Sequence, residues 1–270
     1  MQPLTFDLHA AGVVAPGLTG LAELQRACLA NQVIEPQPLS LAAPDRLPMA
    51  ERRRASGAAR LVLACTAQVM ETSPFDPASL RSVFASDEGT GEVCQQMLGA
   101  LTTTRQVSPL LFTNSVHNAP AGYFSIGWQN RQPFNVVSLG ADSFACGLLT
   151  AVTDAVTTGT PVLLVVSDPV LPAPLDELLP VVANTAAAFL LTSGSARDVA
   201  PALGRFGLSL HPGSFARPSP LPDWMPAAWH ANSSARAIAA LALLESPPGA
   251  VMNCTFGHQI LALRRLEDQE

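Results

Sequence analysis

The sequence predicts a layered α/β fold in which a mixed sheet lies between layers of helices. Short apolar segments alternate with amphipathic segments along most of the 270 residues. Residues 162–166, Val-Leu-Leu-Val-Val, show no polar alternation, which is typical of a strand buried on both faces. Residues 134–158 have the pattern of a strand, a tight turn and a helix that ends at Gly159. Together these patterns indicate a sheet that is covered by helices.

The remaining elements follow from the spacing of apolar residues. A helix over residues 91–103, for example, places Val93, Met97 and Leu101 on one face. In chain order, we predict helices at 18–29, 58–71, 91–103, 118–128, 143–158 and 233–244. Strands are predicted at 81–86, 134–139, 161–167, 184–192, 203–211, 250–255 and 258–264.

Two proline-rich stretches, 168–180 and 212–226, divide the second part of the chain. We therefore expect a main domain at 1–211 and a proline-rich linker at 212–230. A closing helix and strands at 231–270 should pack on the same domain. Residues 51–54, Glu-Arg-Arg-Arg, are predicted to form a charged loop, either simply solvated or a docking patch for an acidic carrier.

The charge content constrains the function. Only 13% of the residues are charged, about half the usual ~25%, which suggests that part of the surface is covered in an oligomer. The net charge of −6 argues against nucleic acid or an anionic membrane as a partner. No apolar run approaches the ~20 residues that are needed to span a bilayer, so we expect no membrane insertion. All fifteen basic residues are arginines, so no mechanism can use a lysine amine. Five scattered cysteines and no secretory signal suggest a cytoplasmic protein with free thiols.

The turn after the strand at 134–139 is the most informative feature. The strand ends in Gly-Ala, and a helix begins at once, so Asp142 lies at the helix N-terminus. A cysteine at this position would have a lowered pKa and would be a strong nucleophile. Aspartate is instead among the best N-cap residues, worth ~1 kcal/mol. Helix capping by Asp142 and Ser143 therefore explains both residues without catalysis.

Residues 112–142 resemble the segment of β-ketoacyl-ACP synthases that leads into their active-site cysteine. Residues 118–122, Asn-Ala-Pro-Ala-Gly, match the family pattern Asn-x-x-Ala-Gly at a helix start. Residues 128–133, Trp-Gln-Asn-Arg-Gln-Pro, match the turn before the nucleophile strand. Without a gap, the family cysteine falls on Asp142. The resemblance implies a truncated thiolase-like fold, formed by the first βαβαβ half and the closing helix and strands of the second half.

The catalytic motifs of the family's second half are missing. His-Gly-Thr does not occur, there is no lysine, and His230 lies a few residues from the family histidine. The resemblance therefore implies a ketosynthase-like protein of the acyltransferase family that is not a condensing enzyme by itself. Such short proteins resemble chain-length-factor subunits of fatty acid and polyketide pathways, especially the aryl polyene type.

An alternative is a self-standing acyltransferase or hydrolase that uses Cys254, Ser143 or Asp142 in a remodelled pocket. Asp142, Ser143, Phe256 and His258 are the candidates to line that pocket. The G-x-S-x-G elbow of α/β-hydrolases is missing. Cofactor motifs and metal-ligand spacings are missing as well, so we expect no cofactor and no metal.

The resemblance also implies a dimer, because family ketosynthases pair the strand before the nucleophile across a two-fold axis. That strand is uncharged here, and an exposed uncharged edge is prone to association. We expect a heterodimer with a full-length ketosynthase, or a homodimer, with acyl carrier protein as a further possible partner. The interface candidates are Phe134, Val136, Val137, Tyr123 and Trp128.

Overall fold

The computed structural model describes residues 3–193, 201–213 and 216–267. Its strands form one eight-stranded sheet in the order β3-β2-β4-β5-β1-β6-β8-β7. The strands are β1 (Leu4–Val14), β2 (Arg81–Ala85), β3 (Phe134–Val137), β4 (Val162–Asp168), β5 (Thr185–Ser193), β6 (Gly204–Pro212), β7 (Val251–Phe256) and β8 (Gln259–Arg265).

The sheet combines the predicted first half with strands from the end of the chain. β2 pairs parallel with both β3 and β4, and all other pairs are antiparallel. The strands β3-β2-β4-β5-β1 form a mixed sheet, as the sequence predicts, although β1 itself was not predicted. β1 is long enough to pair with β5 along one edge and with β6 along the other, with an irregularity between Leu8 and Ala10. β6 thereby connects the closing strands β8 and β7 to the first half.

Helices cover both faces of this sheet. On one face α3 packs against alternate residues of β1, β4 and β5, and α6 packs against α3 and against Phe84 of β2. On the other face α7 and α8 pack against the intervening residues of the same strands. None of the described helices is long and apolar enough to cross a bilayer. The helices are α1 (Leu21–Ala30), α2 (Met49–Arg54), α3 (Gly57–Thr72), α4 (Gly91–Thr103), α5 (Pro109–Asn114), α6 (Ala119–Gly127), α7 (Ser143–Thr158) and α8 (Ser233–Leu241).

The structure corrects one predicted element and adds two. The charged segment Glu51–Arg54 is not a loop: it forms most of α2, with its arginines in the last turn, where the helix dipole favours cations. Neither β1 nor the short helix α5 was predicted from the sequence.

The proline-rich stretch packs on the sheet along its described residues, 216–226. The backbone N–H of Ser219 donates to the carbonyl of Asn253 in β7 at 2.8 Å, and the N–H of Asn253 donates to Ser219 Oγ at 3.0 Å. Trp224 and Met225 are buried in the main core. The stretch therefore covers the outer edge of β7, one of the two end strands of the sheet.

A buried carboxylate connects the two parts of the chain. Asp168, at the end of β4, is 1% exposed. Its Oδ2 accepts from the backbone N–H of Ser234 at 2.6 Å and from Ser233 Oγ at 3.0 Å, both at the N-terminus of α8. Its Oδ1 accepts from the backbone N–H of Asp87, in the turn after β2, at 2.9 Å. One side chain thus holds the closing helix against the first half.

Candidate active site

The turn between β3 and α7 positions the candidate residues as the sequence predicts. Asp142 immediately precedes α7, and Gly140 occupies the left-handed region with φ 56°. Ser143 is fully buried. Its hydroxyl accepts from the N–H of Leu139 at 2.9 Å and lies 2.7 Å from the carbonyl of Gly140. The hydroxyl therefore braces the turn and is not available as a nucleophile.

The side chain of Asp142 does not cap α7, contrary to the prediction. Its carboxylate accepts from the backbone N–H of Gly257 at 2.8 Å and from the hydroxyl of Thr255. The ψ angle of Asp142 is 4°, whereas an N-cap residue has the extended conformation that turns its side chain toward the helix N–H groups. The carboxylate points instead to the turn between β7 and β8. The capping explanation of Asp142 and Ser143 is therefore wrong, although the position of Asp142 is correct.

Thr255 and Gly257 are site residues that no sequence pattern indicated. They lie in the segment that follows Asn253, more than a hundred positions after Asp142. Gly257 has φ 58°, so the left-handed turn brings its N–H toward the carboxylate. Phe256 is half-buried and His258 is exposed on the same turn. The turn and the N-terminus of α7 therefore form one hydrogen-bonded unit.

The two cysteines nearest to this unit are poor nucleophiles. Cys254 is 2% exposed, and burial raises the pKa of its thiol to about 12. Cys146 is half-buried, and burial, together with the charge of Asp142, raises its pKa. Thiolates, not thiols, attack acyl groups. Neither thiol therefore has the activation that acyl transfer requires at neutral pH.

The interface candidates occupy two different environments. Phe134, Val136 and Val137 are half-buried on β3, which is an end strand of the described sheet. Tyr123 is buried in its own subunit, in a small cluster with α3 residues. Trp128 is half-buried, with the guanidinium of Arg46 4.4 Å from its ring centroid. Tyr123 thus fills the core of this chain, whereas the β3 residues remain at a sheet edge.

Comparison with known proteins agrees with this architecture. Residues 26–211 match the family described as β-ketoacyl synthase, N-terminal domain. No curated protein sequence matches the chain. Within the part of the chain that the structure describes, no three histidine, cysteine, aspartate or glutamate residues are grouped as a metal site would require.

Three solved structures illustrate the similarity in fold. A chain of the complex of the ketosynthase ApeO with its chain length factor ApeC, from Xenorhabdus doucetiae, has a TM-score of 0.72 at 23% identity, covering 97% of this chain and 100% of that chain. The ishigamide ketosynthase/chain length factor has a TM-score of 0.74 at 13% identity, and the match covers 97% of this chain and 100% of that chain. The third structure is a type II polyketide synthase complex of an acyl-carrier protein with its ketosynthase, bound to the hexaketide. Its TM-score is 0.73 at 11% identity, and the match covers 98% of this chain and 99% of that chain.

These similarities confirm the predicted thiolase-like fold of the chain. The predicted resemblance is confirmed independently by the family match, which spans well over half of the sequence. This protein therefore belongs to the β-ketoacyl synthase family.

Proposed function

We propose that this protein is a non-condensing subunit of the chain-length-factor type that pairs with an active ketosynthase in fatty acid or polyketide biosynthesis. The observation that carries the proposal is the environment of Asp142. The residue stands at the helix N-terminus where the family resemblance requires the nucleophilic cysteine. Its carboxylate is bound to Gly257 and Thr255.

The chemistry of the site supports the absence of condensation. A carboxylate does not form the thioester that holds a growing acyl chain. The Gly257 N–H, a donor that could stabilise a developing negative charge, already binds Asp142. The sequence also lacks lysine and the His-Gly-Thr motif that decarboxylation in the family uses. The self-standing acyltransferase or hydrolase is less well supported, because Cys254 and Ser143 are buried and Asp142 is engaged.

The two ends of the sheet support the proposal that this chain pairs with another subunit. The β7 end is covered by the proline-rich stretch, whereas β3 is an end strand without a described neighbour on its outer side. β3 carries no charge, and charged residues are a common means of protecting an edge from pairing. The β3 edge is therefore the place where a strand of another subunit can be added.

The similar proteins support the finer assignments. The ApeO–ApeC and ishigamide complexes are named as ketosynthases with chain length factors, which supports the same role here. The aryl polyene type of product is the one that the family resemblance implies. Another similar complex contains an acyl-carrier protein. The arginines in the last turn of α2 offer a complementary charge for such an acidic partner.

A first prediction concerns condensation. Neither the native protein nor Asp142→Cys should form ketoacyl product from acyl and malonyl thioesters, since the histidines and the lysine remain absent. The new thiol should nevertheless be alkylated about ten-fold faster than Cys146, because a helix N-terminus lowers a thiol pKa. Mass spectrometry of alkylated peptides and a product assay measure both effects. Ketoacyl product from either protein would contradict the non-condensing assignment.

A second prediction concerns the partner. Co-expression with a full-length ketosynthase from the same organism should give a heterodimer, because each subunit satisfies the edge strand of the other. Size-exclusion chromatography with light scattering measures its mass. The control is the same ketosynthase expressed alone. If the protein remains separate from every ketosynthase of its organism, the chain-length-factor assignment fails.

A further inference from the structure

A cavity of about 380 Å³ opens to the surface beside the β7 end of the sheet. Four parts of the chain enclose it: the end of α1, the proline-rich stretch, the end of α8 with the 3₁₀ turn Ala242–Glu245, and the start of β7. The proline-rich stretch is held there by its hydrogen bonds to Asn253. Pockets for small molecules have volumes of roughly 300–1,000 Å³, so this cavity is large enough for a small ligand.

The cavity lies apart from both the Asp142 site and the β3 edge. It contacts Val251 and Met252, the first two residues of β7, whereas Asp142 binds the turn that follows the other end of this strand. β3 is the end strand on the opposite side of the sheet. The cavity is therefore separate from the two features on which the proposed function rests.

The buried part of the cavity lining is apolar. Its four buried residues are Ala239, Trp224, Leu243 and Met252. Cys28 of α1 also lines the cavity and is half-buried. Burial and the nearby charge of Glu245 raise the pKa of its thiol to about 11, so the thiol is neutral at physiological pH. This lining favours an aliphatic chain or ring, because contact with it removes apolar area from water.

The exposed part of the lining carries negative charge. Asp223, on the proline-rich stretch, and Glu245, at the end of the 3₁₀ turn, are both exposed. Gln25 Nε2 donates to Glu245 Oε1 at 2.8 Å and so restrains that carboxylate. No arginine is among the described residues that line the cavity, and the chain has no lysine. Two carboxylates without a cation in the same lining attract a positive charge and repel an anion.

We propose that this cavity binds a small organic cation in which an ammonium group is attached to an aliphatic chain or ring. The aliphatic part packs on the buried apolar lining, and the ammonium group lies at the mouth near Asp223 and Glu245. The indole ring of Trp224 adds to the preference, since indole rings attract cations. Binding at this cavity requires neither a ketosynthase partner nor the Asp142 site.

Three probes with the same six-carbon chain test the charge preference. Hexylammonium should bind the full chain with a dissociation constant of about 0.1–1 mM. Hexanol should bind about five-fold more weakly, and hexanoate at least about ten-fold more weakly, because the carboxylates repel its charge. Ligand-observed NMR titrations at one low ionic strength measure the three constants, since salt screens such charges.

Removal of the two charges at the mouth should abolish the preference. Asp223→Asn/Glu245→Gln should bind hexylammonium at least about five-fold more weakly, and hexanol as the native protein does. Both side chains are exposed, so the variant should fold normally. The matched control is Asp45→Asn/Asp76→Asn, which changes the net charge equally but removes two exposed carboxylates that do not line the cavity. The control should bind hexylammonium as the native protein does.

Cys28 reports where the ligand binds. At a hexylammonium concentration of ten times the dissociation constant, the reaction of Cys28 with methyl methanethiosulfonate should slow about ten-fold, because roughly one cavity in ten remains free. Cys94 on α4, which does not line the cavity, should react at an unchanged rate. Mass spectrometry of the modified peptides measures both rates.

The outcomes distinguish this inference from the proposed function. Preferential binding of hexylammonium, its loss in the double variant and protection of Cys28 together support the inference. Binding of hexylammonium no tighter than that of hexanol or hexanoate overturns it, and so does binding that leaves Cys28 unprotected. Absence of binding by all three probes overturns it as well. In each of these cases the proposed function stands, because co-expression with a ketosynthase tests that function separately.

Discussion

Replacing Asp168 with alanine should lower the free energy of unfolding by about 4 kcal/mol. The carboxylate is 1% exposed and accepts hydrogen bonds from Ser233, Ser234 and the backbone of Asp87. Its removal leaves these donors buried without an acceptor, and it also removes a negative charge from the N-terminus of α8. Urea unfolding followed by circular dichroism measures the loss. A typical domain is stable by about 5–15 kcal/mol, so the variant should be close to unfolding at 37 °C.

Two further variants test whether the lost hydrogen bonds of Asp168 cause this loss of stability. Asp168→Asn keeps the side-chain volume and one acceptor oxygen. It should therefore lower the free energy of unfolding by roughly half as much as Asp168→Ala does. Asp45→Ala removes a carboxylate whose side chain is 81% exposed in its pair with Arg52, and should cost less than about 1 kcal/mol. Equal losses for Asp168→Ala and Asp45→Ala would show that the hydrogen bonds of Asp168 do not hold the two parts of the chain together.

Substitution of Gly12 by alanine should lower the free energy of unfolding by about 3 kcal/mol, a large effect for a single methyl group. Gly12 lies in β1, where α3 crosses the sheet. A Cβ at this position would overlap the backbone carbonyl oxygen of Cys65 and lie 3.3 Å from the Val69 side chain. Backbone cannot rotate away as a side chain can, so α3 must move off the sheet. The thermal midpoint should fall by several degrees.

The matched control is a glycine with free space. Gly99, in the middle of α4, has no atom within 4 Å of an added Cβ. Gly99→Ala should therefore raise stability by about 0.5–1 kcal/mol, since alanine favours a helix over the unfolded chain. A neutral effect of Gly12→Ala would mean that β1 and α3 tolerate a wider spacing than the structure has.

Local patterns predicted the central elements well, because local contacts determine them. α7 has the predicted bounds, since Gly159 adopts φ 67° and ends the helix. β4 is buried at all of its residues, as its continuous apolar composition indicates. β1 was missed because two of its buried residues are polar. Asp7 Oδ1 lies 3.9 Å from Arg205 Nε, and His9 Nε2 lies 2.8 Å from Thr192 Oγ1.

The parts that sequence could not predict depend on contacts between distant segments. The eight-stranded sheet exists because β1 pairs with strands on both sides, a register that no local pattern encodes. The contacts of Asp142 are a second example. Its position followed from the strand–turn–helix pattern, but its partners lie in a turn that only the folded chain brings near. Long-range packing therefore decides what the carboxylate does.

The unequal ends of the sheet limit how far an assembly of such chains can grow. A sheet with two open edges can add molecules on both sides and extend into a fibre. Here the proline-rich stretch occupies the β7 side, and proline itself lacks the N–H that an added strand would need. If two such chains joined through β3, both outer ends of the combined sheet would be β7 strands covered by the proline-rich stretch. Growth through the sheet would then stop at a pair of chains, which would protect the protein against polymerisation.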